Sequence, residues 1–414
     1  MKPFSRASDR IGTESAFAVG PEIASLEKKG YRIVKLNIGE PGCSITKNAT
    51  STIIKSFKRH ETHYTSSKGL ESLRKKIAHY LTITRGVKFE ADDIVLTPGG
   101  KPVISGTMFI LVNPGDEVVY PTPSYPIYES MIDFIGGSKK PILLREEKNF
   151  TFAIDDLKKN ITPKTKLLVL NSPSNPTGGV LLEKDLQSIA KIVKKNDLYV
   201  LSDEIYHRII FDADLKKVSY NNNRFLVAPS IVTLPGMAER TVILDGFSKT
   251  YAMTGLRLGF AASKNRKIID KFLTYAINIW SCLPEPLMKG AEAVLDDDQR
   301  EAQEEINLYQ QKRDLAVRLL NEIEGISCHK PLGAFYIFPN VTKAVKKLGL
   351  KDAEDFRKYL LTADKKNKRG VAVLARKHFG QRLPTETQEY IRISFAGSLA
   401  DLKEGIFLIK KAVE

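Results

Sequence analysis

The sequence predicts an α/β protein with a mostly parallel central sheet in a large domain and a smaller α+β domain. Between about Lys47 and Ala291, β-type and helix-type segments alternate, which is the pattern of a sheet covered by helices. The strand candidates are Ile94 to Thr97, Glu117 to Tyr120, Leu167 to Leu170, Tyr199 to Asp203, Thr241 to Asp245 and Leu258 to Ala261. Several are nearly all apolar, as strands buried on both faces must be. After Asp296 the pattern changes: a charged helical stretch from Asp297 to Glu324 leads into Gly333-Ala334-Phe335-Tyr336-Ile337-Phe338-Pro339 and a C-terminal α+β segment.

Taken in order, Leu70, Leu73, Ile77, Tyr80 and Leu81 follow Gly69 at helical spacing. Ile94-Val95-Leu96-Thr97 then runs into Pro98-Gly99-Gly100-Lys101 and the apolar segment Val103 to Val112. Backbone amides of Gly100 and Lys101 at such a helix start suit a phosphate. Leu167 to Leu170 is a buried-type strand that enters the turn residues Asn171-Ser172-Pro173-Ser174-Asn175-Pro176-Thr177-Gly178. Asp203-Glu204-Ile205-Tyr206 follows Leu198-Tyr199-Val200-Leu201, so a carboxylate stands at a strand's C-terminal end, the edge where open α/β sheets gather ligands.

Lys249 is the most informative residue. It lies in Ser248-Lys249-Thr250-Tyr251-Ala252-Met253-Thr254-Gly255-Leu256-Arg257-Leu258-Gly259. One amine that forms a Schiff base and one guanidinium on the same turn are what holding a phosphorylated aldehyde by both ends requires, and the aldehyde implied is pyridoxal 5'-phosphate. Asp203 would keep the pyridine nitrogen protonated, so that the ring draws electrons from the substrate carbon. Tyr206 and Asn175 are candidate partners of the ring's phenolic oxygen. Each motif alone also has a plain structural reading, a surface turn for Lys249 to Gly259 and a helix cap for Asp203; their joint order favours the chemical one.

These elements, with Leu36-Asn37-Ile38-Gly39-Glu40-Pro41, Tyr64 to Arg74, Pro114-Gly115-Asp116-Glu117 and Tyr390-Ile391-Arg392-Ile393-Ser394-Phe395, resemble the class I and II aminotransferases of the aspartate aminotransferase superfamily, fold type I, over nearly the whole chain. The resemblance implies an N-terminal arm, residues 1–46, joining a small C-terminal domain, residues 297–414, with a large cofactor-binding domain, residues 47–296, between them. It implies that Lys249 is anchor and general base, that Arg257 and the Gly100 and Lys101 amides take the phosphate, and that Tyr125 stacks on the ring. Arg392 would grip the substrate α-carboxylate and Gly39 would add a backbone contact. Tyr64 would reach the phosphate of a neighbouring subunit, so a homodimer with shared active sites is expected.

The reaction implied is amino-group transfer between an L-amino acid and a 2-oxo acid. Lys101 after two glycines resembles the aspartate-using members, where the matching lysine holds the distal carboxylate, and an aspartate/2-oxoglutarate pair is the first expectation. Glu14, aligned where small hydroxyl residues are usual, Tyr125 where many aspartate enzymes carry Trp, and Ala375-Arg376 where Pro-Gly is common before Phe379-Gly380 keep aromatic and alanine transamination open. A pyridoxal-phosphate lyase or synthase on the same fold is a further alternative.

The resemblance implies a role in amino-acid metabolism and biosynthesis, and composition agrees with a large soluble enzyme. The 414 residues suffice for a sizeable core and more than one domain. No apolar run approaches the ~18 residues of a membrane span, and the first residues lack a secretory core, so a cytoplasmic location and no membrane partner are expected. Cys43, Cys282 and Cys328 are sparse and without metal-ligand spacing; they are expected to stay reduced, with no metal bound. The net charge of +16 is spread over helix-like segments, and the densest basic run, Lys365 to Arg369, is a loop preceded by Asp364. This reads as solvated surface rather than a nucleic-acid site. Asn221-Asn222-Asn223-Arg224 reads as a polar surface loop.

Overall fold

The computed structural model describes residues 4–12, 19–211 and 215–414. At its centre is a seven-stranded sheet. Its strands in chain order are β1 (Ile94–Thr97), β2 (Glu117–Thr122), β3 (Ser138–Leu143), β4 (Thr165–Asn171), β5 (Tyr199–Asp203), β6 (Thr241–Gly246) and β7 (Gly259–Ala262). They lie side by side in the order β1-β7-β6-β5-β4-β2-β3. Only β7 runs antiparallel to its neighbours. The expected mostly parallel sheet is therefore present.

Direction and register bring the chemistry to one edge. Asn171 of β4 is level with Asp203 of β5, and Asp203 is level with Leu244 of β6. The turns after β1, β2, β4, β5 and β6 thus emerge together at the C-terminal edge, carrying Gly99, Tyr125, Asn175, Tyr206 and Lys249. Strands β1, β2 and β6 are buried along their whole length. The helix Lys101–Leu111 packs Val103, Ile104 and Met108 on one face of the sheet, and Glu183–Lys195 packs Leu186, Ile189 and Val193 on the other. The helix Glu71–Arg85 buries Leu73, Ile77, Tyr80 and Leu81, as its spacing predicts.

Two sequence readings are corrected. Strand β3 has no counterpart among the expected strands: Ser138-Lys139-Lys140-Pro141 is polar and proline-bearing, the chemistry of an edge strand, and its lysines pair with Glu129, Asp133 and Glu117. Asn221 to Arg224 is not a free loop. It closes a hairpin between Lys217–Tyr220 and Asn223–Leu226, with Asn221 and Asn222 both at positive φ, the backbone of a type I′ turn. Asn221 Nδ2 donates to the carbonyls of Leu295 and Asp297, which fastens the tip to the end of the helix Glu285–Asp296.

A second core gathers around the antiparallel strands Tyr336–Ile337, Ile391–Ser394 and Leu374–Ala375, covered by the helices Ala353–Leu360 and Leu399–Val413. Val34 and Leu36 enter this core, and the strand Arg32–Lys35 pairs in parallel with Arg369–Ala372. Residues 32–36 are thereby held against the C-terminal part, and Asn37 to Pro41 is brought to the sheet edge. Residues 10–12 lie elsewhere: Arg10 donates to the carbonyls of Asp133 and Phe134, and the Gly12 amide to Ser130 Oγ, on the helix Ile127–Ile135 that flanks the central sheet.

Candidate active site

The turn after β6 presents Lys249 half-buried. Its Nζ donates to Gly39 O at 2.7 Å, with Nζ 6.0 Å from the ring centre of Tyr206 and 5.7 Å from that of Phe335. Gly39 tolerates no side chain, since a Cβ there would collide with Tyr336 Oη. Farther along the turn, Arg257 Nη1 donates to Thr254 O at 2.8 Å. The guanidinium lies against Gly99, whose φ of +86° and absent Cβ both matter: an added Cβ would strike Arg257 Nη2. Gly100 stands at the start of the helix Lys101–Leu111 with no side chain capping it. Gly99 and Arg257 thus lie together at the open start of this helix, where the Gly100 and Lys101 amides and the guanidinium would hold a phosphate.

Asp203 is buried beneath that turn. Tyr128 Oη donates to its Oδ2 at 2.5 Å and the Ile205 amide to its Oδ1 at 3.2 Å. Burial pushes the carboxyl up to about 6, against the opposing pull of those two hydrogen bonds. A cationic partner would keep it ionised. Behind it, Arg85, fully buried, reaches Glu204 at 2.9 Å and Asp245 at 2.5 Å. Ser202 and Ser230 donate to the other Glu204 oxygen. Arg85 therefore offsets the two carboxylates next to Asp203. Tyr125 is part-exposed, its ring 5.8 Å from that of Tyr128 and at 84° to it.

Arg392, on the strand Ile391–Ser394, donates from Nη1 to Asn175 Oδ1 at 3.0 Å and from Nη2 to Asn37 O at 2.5 Å. Its guanidinium lies between the rings of Tyr336, at 4.5 Å, and Phe379, at 5.0 Å. Asn175 is held by its own amide, which donates to Asn171 Oδ1 at 2.9 Å. Tyr206 Oη and Tyr336 Oη are 2.8 Å apart.

Direct contacts connect Lys249 with Gly39, Arg392 with Asn175, and Arg257 with the Gly99-Gly100 turn. Tyr64 is not brought to this cluster. It stands 93% exposed between the helices Lys47–Lys58 and Glu71–Arg85. Glu14 lies outside the described residues. Arg376 is committed to protein partners. It is buried in its own loop, bonded twice to Glu386 at 2.8 Å, to Thr122 Oγ1 at 2.9 Å and to the carbonyls of Gly380 and Gln381, and so fixes Phe379 over Arg392. Sequence reading missed Tyr128, Tyr336, Phe379 and Asn37. Tyr128 could have been suspected from its place three residues after Tyr125, to whose carbonyl its amide donates at the entry to the helix Ile127–Ile135. Tyr336 and Phe379 arrive through tertiary packing alone.

The residues fit pyridoxal phosphate at three points. Lys249 supplies the amine, Asp203 a buried carboxylate in need of a cation, and the side-chain-free Gly99 turn beside Arg257 a phosphate cradle. A family model described as aminotransferase class I and II matches residues 31–407. The aspartate aminotransferase of Sulfurisphaera tokodaii is 31% identical, over 99% of this chain and 98% of its own. The solved aspartate aminotransferase of Rhizobium meliloti superposes with a TM-score of 0.87 at 29% identity, covering 100% of this chain and 99% of the other. The solved alanine aminotransferase of Pyrococcus furiosus gives 0.88 at 28% identity, with 99% of each chain covered. With the lysine turn, the buried aspartate and the phosphate cradle in one place, the chain belongs to the class I and II aminotransferases and is a pyridoxal-phosphate-dependent enzyme.

Proposed function

We propose that this aminotransferase exchanges amino groups between aspartate-type dicarboxylic amino acids and 2-oxo acids, using the residues gathered at the sheet edge. The observation that carries the site assignment is Lys249 Nζ, 2.7 Å from Gly39 O and within 6.0 Å of the Tyr206 ring, on the same turn as Arg257. When bound, pyridoxal phosphate supplies an electron sink for the substrate α-carbon. Lys249 anchors it and, once freed by substrate, carries the proton to and from that carbon. Asp203, oriented by Tyr128, balances the charge of the ring nitrogen. Arg257, Gly100 and the Lys101 amide hold the phosphate. Tyr206 and Asn175 address the phenolic oxygen, and Asn175 has its Oδ1 committed to Arg392, which leaves its amide hydrogens directed elsewhere. Tyr125 covers the ring. Arg392 grips the α-carboxylate in a two-pronged contact, with the Gly39 backbone beside it.

The dicarboxylate preference rests on Lys101 at the cradle and on the similarity to enzymes named aspartate aminotransferase. Transfer from alanine is the second reading, favoured by the equally close superposition of the Pyrococcus furiosus enzyme; aromatic donors are the third. The proposal includes residues 47–296 as the large domain, residues 1–46 and 297–414 as the small one, a cytoplasmic location and a homodimer in which Tyr64 serves the partner's phosphate. Among the described residues no helix is long and apolar enough to cross a membrane. The test is a half-reaction screen, following loss of the bound cofactor's visible absorbance with each amino acid in turn. Aspartate and glutamate should react at the lowest concentrations. Faster reaction of alanine or of an aromatic amino acid would move the assignment to that class.

A further inference from the structure

Tyr336 touches both halves of the site and has no role in the reading above. It is buried, at 1% exposure, on the strand Tyr336–Ile337. Register places it there: Tyr336 is level with Ser394 on the neighbouring strand, and Arg392, two residues from Ser394, shares its face. The ring therefore lies under the Arg392 guanidinium at 4.5 Å, opposite Phe379. The hydroxyl reaches the other way, to Tyr206 Oη at 2.8 Å, and against Gly39, where any side chain would collide with it.

We propose that Tyr336 is a dual positioning residue: its hydroxyl directs the proton of Tyr206 toward the cofactor's phenolic oxygen, and its ring holds Arg392 in the orientation that receives the substrate carboxylate. This rests on the roles of Lys249, Tyr206 and Arg392 proposed above. The direction of the hydrogen bond follows from supply. Tyr206 has one proton, and if it gave that proton to Tyr336 none would remain for the cofactor. With Tyr336 as donor, Tyr206 accepts one bond and becomes a stronger donor in the other direction. The charged groups facing the pair are Arg392, Asp203 and Lys249, and burial holds Tyr206 neutral well above the usual phenol range. A proton given by Tyr206 to the phenolic oxygen lowers the proton affinity at Lys249 Nζ beside it, so weakening that gift raises it.

Two variants of the holoenzyme separate the two roles. Tyr336→Phe keeps the ring and removes the hydroxyl. The pH midpoint of the bound cofactor's visible absorbance should rise by a few tenths of a unit, while the amino-acid concentration giving half-maximal reaction stays within about twofold, because the cation–π contact remains. Tyr336→Leu removes both, and should in addition weaken amino-acid and oxo-acid binding by about tenfold. An unmoved midpoint in Tyr336→Phe, or substrate affinity in Tyr336→Leu equal to that in Tyr336→Phe, overturns the proposal. So does a common fall of all readouts with melting temperature, which marks a merely structural residue. Failure of the underlying reading looks different, since the wild-type protein would then show no lysine-bound absorbance at all.

Discussion

Arg392 shows how much one residue's position depends on its surroundings. A guanidinium with 3% exposure is held by one amide oxygen, one backbone carbonyl and two ring faces. Arg392→Lys would place a point charge where a fork is needed, and amino-acid and oxo-acid affinity should fall by about 10- to 100-fold with little change in the maximal rate. Steady-state kinetics on both substrates check this, and unchanged KM values would move the carboxylate site elsewhere. Asp203 supports a second prediction. Burial raises its carboxyl to about 6, above its ordinary value near ~3.9. The folded, cofactor-free protein therefore keeps a proton that the unfolded chain releases. This contribution to stability, of about 2–3 kcal/mol, is complete below about pH 4 and lost as pH rises through about 6. Thermal unfolding of the cofactor-free protein over that window should show a smaller loss in Asp203→Asn than in the wild type, the remainder coming from Asp245, which burial also pushes up to about 6. Parallel curves for the two would show that Asp203 is already ionised.

At the scale of elements, function depends on where strands end. The sequence shows β1, β4, β5 and β6 as apolar runs that stop at Gly99, Asn171, Asp203 and Gly246, and their parallel direction puts those stops on one edge. Most of the candidate cofactor residues were legible for that reason. Strand β3 was hidden because an edge strand needs no apolar face. The Asn221-Asn222 turn was read as a loop because its anchoring to Leu295 and Asp297 is a long-range contact. Tyr336 and Phe379 become site residues only when Tyr336–Ile337 and the 376–381 loop fold over Arg392, and no local pattern announces that. The turn after β1 gives a sharp test. Gly99→Ala forces alanine into a left-handed backbone, at about 1–2 kcal/mol, and pushes Arg257 aside. Cofactor affinity, measured by fluorescence titration, should fall at least about tenfold, and an unchanged affinity would remove this turn from the phosphate site.

For the whole molecule, Tyr64 is a residue whose exposure a single chain leaves unexplained. It is 93% exposed, and Ile54 and Phe57 on the preceding helix are about half exposed, at 49% and 51%. A second copy that covers them and receives Tyr64 at its phosphate would account for all three. Mixing the separately impaired variants Tyr64→Ala and Lys249→Ala should then restore part of the activity, because a mixed dimer contains one site with both residues intact. Mixed dimers that form, as shown by sedimentation or native mass spectrometry, yet stay inactive would contradict the shared site. Beneath all of this is the covalent seat of the cofactor. The direct measurement is borohydride reduction of the protein loaded with pyridoxal phosphate, followed by peptide mass mapping. The expected result is a single phosphopyridoxyl group on the peptide containing Lys249; a group on any other residue, or none, would contradict it.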